Sequence, residues 1–321
     1  MQTPGSFKGL TVSTLAEAEA FFSAGFGDLI YGVPIEPGKF ERVFDFIRRG
    51  AQLAVITDSE EIPEQLSTAA TRAGVDVEVH LKVDCGYHRC GVDPASAEAL
   101  NISRELADSP SLKFGGILTH AGHSYHARSR EELIDIARAE RDIMVEFAGR
   151  LRSAGIEVPS VSIGSTPTMS VYESLAGIDE VRPGNYVFYD AFQATLGSCR
   201  FDDCVLTVLA SVVHCEDKKM IVDAGGIALS KDRGPVEFDS GCGYGRVYST
   251  EGEDLHLRLT SLSQEHGVIE SESGSLRSRF KLGSRIRILA NHSCMAAAQH
   301  RYYHVLEDNR IVAKWEAHHG W

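Results

Sequence analysis

The sequence predicts an α/β chain: a parallel (β/α)8-type barrel short of its first strand, followed by a β-rich domain. Three observations predict it. Short β-branched runs alternate with amphipathic helical stretches through the first two thirds of the chain. The polar, chemistry-bearing motifs fall after the strands, where such barrels keep their sites. From about residue 200 the helical period gives way to strands parted by Gly-rich or charged turns.

Seven strand candidates stand in order at Gly9–Ser13, Asp28–Val33, Gln52–Thr57, Val77–Val83, Phe114–His120, Ser160–Gly164 and Glu180–Val187. Between them the helix-like segments are Thr14–Ala24, Lys39–Arg49, Ile62–Ala73, Pro94–Leu106, Arg130–Ala154 and Thr168–Leu175. Strands too apolar to face water, each followed by a helix, imply a parallel sheet covered on its outer side. Seven such units are one short of a closed barrel, and Met1 stands close to the first strand, so one strand is expected to be missing at the N-terminus. In the last third Cys204–Cys215, Lys219–Val222, Leu255–Leu262, Arg285–Leu289 and Val305–Lys314 read as strands. The expected division is a barrel over 1–195 and a β-rich domain over 196–321.

Composition narrows the function. Thirty-two Lys and Arg against 45 Asp and Glu give a net charge of −13, a field that repels phosphate backbones and anionic lipid surfaces. No nucleic-acid or membrane partner is expected. No stretch approaches the roughly 20 apolar residues of a membrane helix, and no basic-then-apolar leader opens the chain; a cytoplasmic protein is expected. The seven cysteines, with no CxxC pair among them, read as free thiols in a chain too large to need staples.

Four stretches carry chemistry. His292-Ser293-Cys294 follows an apolar run; on an extended segment residues i and i+2 face the same side, so an imidazole and a thiolate could share one cation, and that donor pair suits Zn²⁺ better than Mg²⁺ or Ca²⁺. An ordinary buried His and Cys is the competing reading of the motif alone. Ile163-Gly164-Ser165-Thr166-Pro167-Thr168 passes from strand to helix, offering close backbone approach, hydroxyls and a helix start to an anion. Arg182-Pro183-Gly184-Asn185-Tyr186 ends the next strand; each is an ordinary turn taken singly, but at consecutive final strands the two match a barrel's common phosphate site. Asp84-Cys85-Gly86-Tyr87-His88-Arg89-Cys90-Gly91 and Thr119-His120-Ala121-Gly122-His123-Ser124-Tyr125 leave two further strands and add a cation that cannot lose its proton, imidazoles and a phenol.

Together these stretches carry a resemblance. GLTVSTLAEAEAFFSAGFGDLIYG, HLKVDCGYHRCGV, GILTHAGHSY, VSIGSTPT, EVRPGNYVFYD, VDAGGIALSKD and NHSC run in order from residue 9 to residue 294, and the chain resembles the fold-type III pyridoxal-phosphate enzymes, within them the D-serine dehydratase and D-threonine aldolase group. The resemblance implies an alanine racemase-like (β/α)8 barrel lacking its first strand, a C-terminal β-domain, and a homodimer with its active site at the domain and subunit junction. It implies that Gly164, Ser165 and Thr166 with Gly184 and Asn185 hold the phosphate of pyridoxal 5′-phosphate. Arg89 would meet the cofactor's phenolic oxygen, Tyr125 would lie near its ring, and His292 and Cys294 would be the two ligands of Zn²⁺.

The implied activity is a lyase on a D-amino acid. In the dehydratase branch the metal makes the β-hydroxyl a better leaving group, and D-serine yields pyruvate and ammonia. In the aldolase branch it holds the hydroxyl while Cα–Cβ breaks. Cys294 favours the zinc-dependent D-serine dehydratase; an Asp there would point to the D-threonine aldolase or the D-3-hydroxyaspartate dehydratase, which stay as alternatives. One departure stands out: family members bear the cofactor-binding lysine in an Arg-Pro-His-x-Lys-Thr-His-Lys motif ahead of the first visible strand, and these residues contain no such motif. Met1 is therefore expected to be an internal methionine of a longer product and this chain to turn over negligibly; a catalytically inactive homologue is the other reading. Lys8 reads as an exposed turn residue and Lys82 as paired with a carboxylate. No catalytic base is assigned, and Asp223 and His266 are left without a role.

Overall fold

The computed structural model describes residues 9–318, and the chain falls into two compact units, one built on residues 9–127 and 131–184, the other on 185–317 with 128–130. Lys8 lies outside the described residues.

The first unit is a seven-stranded, wholly parallel sheet in sequential order: β1 (Leu10–Val12), β2 (Asp28–Pro34), β3 (Gln52–Thr57), β4 (Val77–Lys82), β5 (Leu112–Leu118), β6 (Val161–Ile163) and β7 (Glu180–Val181). Helices α1 (Leu15–Ser23), α2 (Phe40–Arg48), α3 (Ile62–Ala73), α4 (Ala97–Asp108), α5 (Arg130–Ser153) and α6 (Thr166–Met169) fall between them. Alternation along each strand explains the core. Leu29, Tyr31, Leu53, Val55, Val77, Val79, Leu81 and Ile117 pack with helix residues such as Phe44, Leu66, Ile102 and Phe147, while the intervening Ile30, Ala54, Ile56 and Leu118 form a smaller second cluster. All seven anticipated strands are present. The last is cut to two residues, because Pro183 has no N–H for the ladder and Asn185 starts a 3₁₀ turn. The helix expected at Thr168–Leu175 is instead the four-residue α6, where the Ser170 hydroxyl takes the Pro167 carbonyl at 2.7 Å.

The second unit contains a closed, antiparallel six-stranded barrel of β8 (Thr207–Cys215), β9 (Lys219–Val222), β10 (Gly245–Tyr248), β11 (Asp254–Leu262), β12 (Gly267–Glu270) and β13 (Arg285–Ala290), in the order β10-β11-β12-β9-β8-β13. Its interior holds Val212, Met220, Val222, Val247, Leu259, Ile269, Ile286 and Ile288. β10 and β12 escape the sequence reading because each opens on a glycine, Gly245 and Gly267, which reads as part of a turn. The single strand expected at Val305–Lys314 is a hairpin, β14 (Tyr302–Glu307) with β15 (Arg310–Glu316), turned by Asp308-Asn309, both at positive φ (46° and 62°). Among the described residues no helix is long and apolar enough to cross a membrane, and all seven cysteines are free.

Candidate functional site

In the first unit the loops after β4 to β7 bring together most of the residues singled out from the sequence. After β4, Asp84 Oδ1 accepts the N–H groups of Gly86 (2.9 Å) and His88 (3.0 Å), and its other oxygen meets His88 Nδ1 at 2.7 Å. The loop closes on its own stem through Asp84 N–H to Val92 C=O at 2.9 Å. A Cβ on Gly91 would lie 2.5 Å from the Asp84 nitrogen, so only glycine fits there. Arg89 sits exposed on this loop, its guanidinium 5.0 Å from the Tyr87 ring centroid, and Tyr87 meets His120 edge-on at 6.0 Å.

His120 follows β5, and its Nδ1 donates to the Gly164 carbonyl at 3.1 Å. Tyr125 is half-buried in the 3₁₀ turn Gly122–His126. After β6, Gly164 takes φ +128°, and a Cβ there would stand 2.9 Å from the Arg182 nitrogen. Ser165 caps α6 in a reciprocal box with Thr168, and its hydroxyl meets that of Ser124 at 2.9 Å. Ser165 and Thr166 are buried, and Gly164 turns its N–H inward to the Glu140 carboxylate (3.1 Å). Gly184 is exposed, with open space where a Cβ would point.

Three cations, Lys82, Arg89 and Arg182, gather at this rim, Arg182 paired with Glu180 at 3.5 Å. Lys82, on β4, is not paired with Asp84; among the described residues it forms no ion pair, because Asp84 is committed to its own loop. Burial, seconded by the Arg182 charge, pushes the Lys82 amine down to about 8. Arg182, with only 12% of its side chain exposed, donates to Ser162 Oγ at 2.7 Å and to the Thr119 carbonyl. Burial lowers His120 to about 4; the Gly164 carbonyl opposes the shift, and Lys82, Arg182 and Arg89 reinforce it. Three cations around a neutral imidazole, in a chain of net charge −13, suit an anionic ligand, and the open space beside Gly184 suits a phosphate.

The second unit holds the other constellation. His292 and Cys294 are not on an extended segment: His292 caps the helix Ser293–Ala297 and Cys294 lies in its first turn. The two side chains still meet, for the imidazole hydrogen-bonds the thiol. Its other nitrogen, Nδ1, is 2.7 Å from Asp232 Oδ2. Burial would lower the His292 pKa, but the bonds to Asp232 and Cys294 overcome it and raise it to about 10. Asn185 is buried here: its Nδ2 reaches Asp190 (2.6 Å), Ser293 Oγ (3.2 Å) and Cys294 Sγ (3.7 Å). Asp190 is itself buried, accepts the Ser293 N–H at 2.9 Å and caps the helix Ala191–Leu196.

A carboxylate that fixes one imidazole nitrogen and leaves the other facing a thiol is the usual surrounding of a metal-binding histidine. Among the described residues no group of three or more His, Cys, Asp or Glu side chains is placed to hold a metal, so a cation here would take two protein ligands and keep its other positions for water or substrate. Sequence reasoning missed Asp232, Asp190 and the Arg182 guanidinium as site residues. Each lies in a motif already noted, but its partner is remote in sequence.

Comparison with known proteins places the chain in a family. The pattern of the alanine racemase N-terminal domain matches residues 2–191, and that of a putative serine dehydratase domain matches residues 205–306. The chain is 40% identical to the D-threo-3-hydroxyaspartate dehydratase of Delftia sp. strain HT23 (100% of this chain, 86% of the relative) and 35% identical to the D-serine dehydratase of Dictyostelium discoideum (98% and 83%). The solved Delftia enzyme superposes with a TM-score of 0.94 at 39% identity, covering 98% of this chain and 85% of that one. A cysteine-to-alanine mutant of a D-threo-3-hydroxyaspartate dehydratase, solved in a metal-free form, superposes with a TM-score of 0.94 at 38% identity, covering 98% of this chain and 85% of that one.

Fold and site thus define an enzyme of the alanine racemase-like, pyridoxal-phosphate-dependent class. Within that class the chain belongs to the family of the D-serine dehydratases and D-threonine aldolases, whose members are lyases of D-amino acids.

Proposed function

We propose that this chain is a pyridoxal-phosphate- and zinc-dependent dehydratase of β-hydroxy D-amino acids, D-serine first among them, acting in the cytoplasm as a homodimer. The observation that carries the reading is the oriented imidazole and thiol of His292 and Cys294, with Asp232 behind the ring. The dehydratase reading is favoured over the aldolase by likeness: the two dehydratases stand at 40% and 35% identity, the D-threonine aldolase of Arthrobacter at 26%. Cys294 is not used to choose between D-serine and D-threo-3-hydroxyaspartate, since a D-threo-3-hydroxyaspartate dehydratase has itself been solved as a cysteine-to-alanine mutant in a metal-free form.

When bound, pyridoxal phosphate supplies an electron sink beside the substrate's Cα and zinc a Lewis acid for its β-hydroxyl. The chain's own groups do the holding. Gly164, Ser165, Thr166 and Gly184 would take the phosphate, with Asn185 contributing its backbone, since its amide nitrogen is committed to Asp190, Ser293 and Cys294. Arg89 and Arg182 supply positive charge that no change of pH removes, Tyr125 would flank the ring, and His120 stays neutral and is anchored to the Gly164 carbonyl. Asp232 would orient the His292 ring through Nδ1, and the ring's other nitrogen would give up its proton to the cation.

These 321 residues contain no such lysine motif, so pyridoxal 5′-phosphate added to them is expected to bind without a covalent link to lysine. Absorption spectra of the chain mixed with pyridoxal 5′-phosphate test this. No strong protein-bound cofactor band is expected; a strong band that disappears in Lys82→Ala would overturn it and make Lys82 the attachment point.

A further inference from the structure

Glu140 is fully buried (0% exposed) in the middle of α5. The buried face of that helix otherwise reads Leu133, Ala137, Met144, Phe147, Ala148 and Leu151, and Glu140 takes one position of this apolar stripe. A carboxylate is costly to bury, and packing alone would be served by another leucine. Its hydrogen bonds show what it does there. One oxygen accepts two N–H groups, from Ala121 at 3.2 Å and Gly164 at 3.1 Å; the other accepts the Tyr172 hydroxyl at 2.6 Å.

Those two N–H groups belong to different loops. Ala121 follows His120 after β5, and Gly164 precedes Ser165 after β6. One oxygen therefore spans the loop that carries the imidazole and the loop that carries the phosphate cradle. Two further bonds join the same loops, His120 to the Gly164 carbonyl (3.1 Å) and Ser124 to Ser165 (2.9 Å).

We propose that Glu140 is a positioning residue: it clasps the β5 and β6 loops together, with Tyr172 fixing its second oxygen, and so sets the shape of the anion cradle. This rests on the reading of that cradle as the cofactor's phosphate site. Glutamine at 140 keeps an oxygen for both N–H groups and can donate its amide to the Tyr172 oxygen; leucine keeps the packing and removes the acceptor.

The test is position-resolved amide hydrogen exchange on the wild-type chain, Glu140→Gln, Glu140→Leu and Tyr172→Phe, with α3 as internal reference, alongside equilibrium dialysis against pyridoxal 5′-phosphate. In Glu140→Leu, exchange over residues 119–126 and 163–169 should quicken by about 10- to 100-fold while α3 is unchanged, and cofactor affinity should fall by about tenfold or more. Glu140→Gln should restore both to within about threefold of wild type, and Tyr172→Phe should quicken the same two loops by several-fold. Equal quickening in α3, a glutamine variant as impaired as the leucine one, or unchanged loops in Tyr172→Phe overturns the clasp. If Glu140→Leu does not fold, the other two variants decide. If the wild-type chain retains no pyridoxal 5′-phosphate, inorganic phosphate takes its place as the probe of the cradle, and the exchange data still decide the clasp.

Discussion

The Nδ1 atom of His292 lies 2.7 Å from Asp232 Oδ2, a bond made across 60 residues of sequence. It fixes the orientation of the ring, and the Cys294 thiol is the imidazole's other hydrogen-bond partner. The hydrogen bond to His292 also holds the Asp232 carboxyl below the usual carboxylate range. A metal-binding histidine needs such a partner for its orientation and its basicity.

Asp232→Asn should therefore weaken zinc binding by about 10- to 100-fold while leaving both ligands in place. Competition against a chromophoric chelator measures it. Affinity equal to wild type would show that His292 is oriented by something else.

His120 gives the first unit a pH dependence. Its folded value is about 4 against an ordinary 6.5, chiefly through burial. Between those two values the unfolded chain binds a proton that the folded chain refuses, so stability falls as pH drops from about 6.5 to about 4, by at most ~3 kcal/mol from this one group. His120→Gln should flatten that part of the profile. Urea midpoints that decline equally in wild type and variant over this range would contradict the assignment.

Gly164→Ala should be among the most damaging small changes. The residue sits at φ +128° and the added carbon would stand 2.9 Å from the Arg182 nitrogen, a strain of roughly 1–3 kcal/mol plus displacement of the β7 end. Thermal unfolding should show the loss, and binding of inorganic phosphate should weaken with it. An unchanged melting temperature would mean that the two strand ends are free to move apart.

Much of this was legible in the sequence, for reasons that also explain what was not. Strands such as Gln52–Thr57 and helices such as Ile62–Ala73 declare themselves because each is long enough to show its period. β10 and β12 each open on a glycine that reads as a turn, and the hairpin turn Asp308-Asn309 lies inside one continuous β-prone run. The site residues came from motifs at strand ends, but their supporting partners did not. Nothing near Asn185 in sequence announces that its amide turns to Asp190, Ser293 and Cys294, because Ser293 and Cys294 come from more than 100 residues away. Glu140 did leave a trace, a carboxylate in an apolar stripe, which only the Ala121 and Gly164 amides explain.

A lysine-bearing first strand fused ahead of Met1, with the product released from D-serine assayed with and without a chelator, puts the zinc-dependent dehydratase to the test. Pyruvate and ammonia should appear, vanish with the chelator and return with added zinc. Turnover indifferent to the chelator, or glycine and an aldehyde released from D-threonine with D-serine untouched, would contradict it.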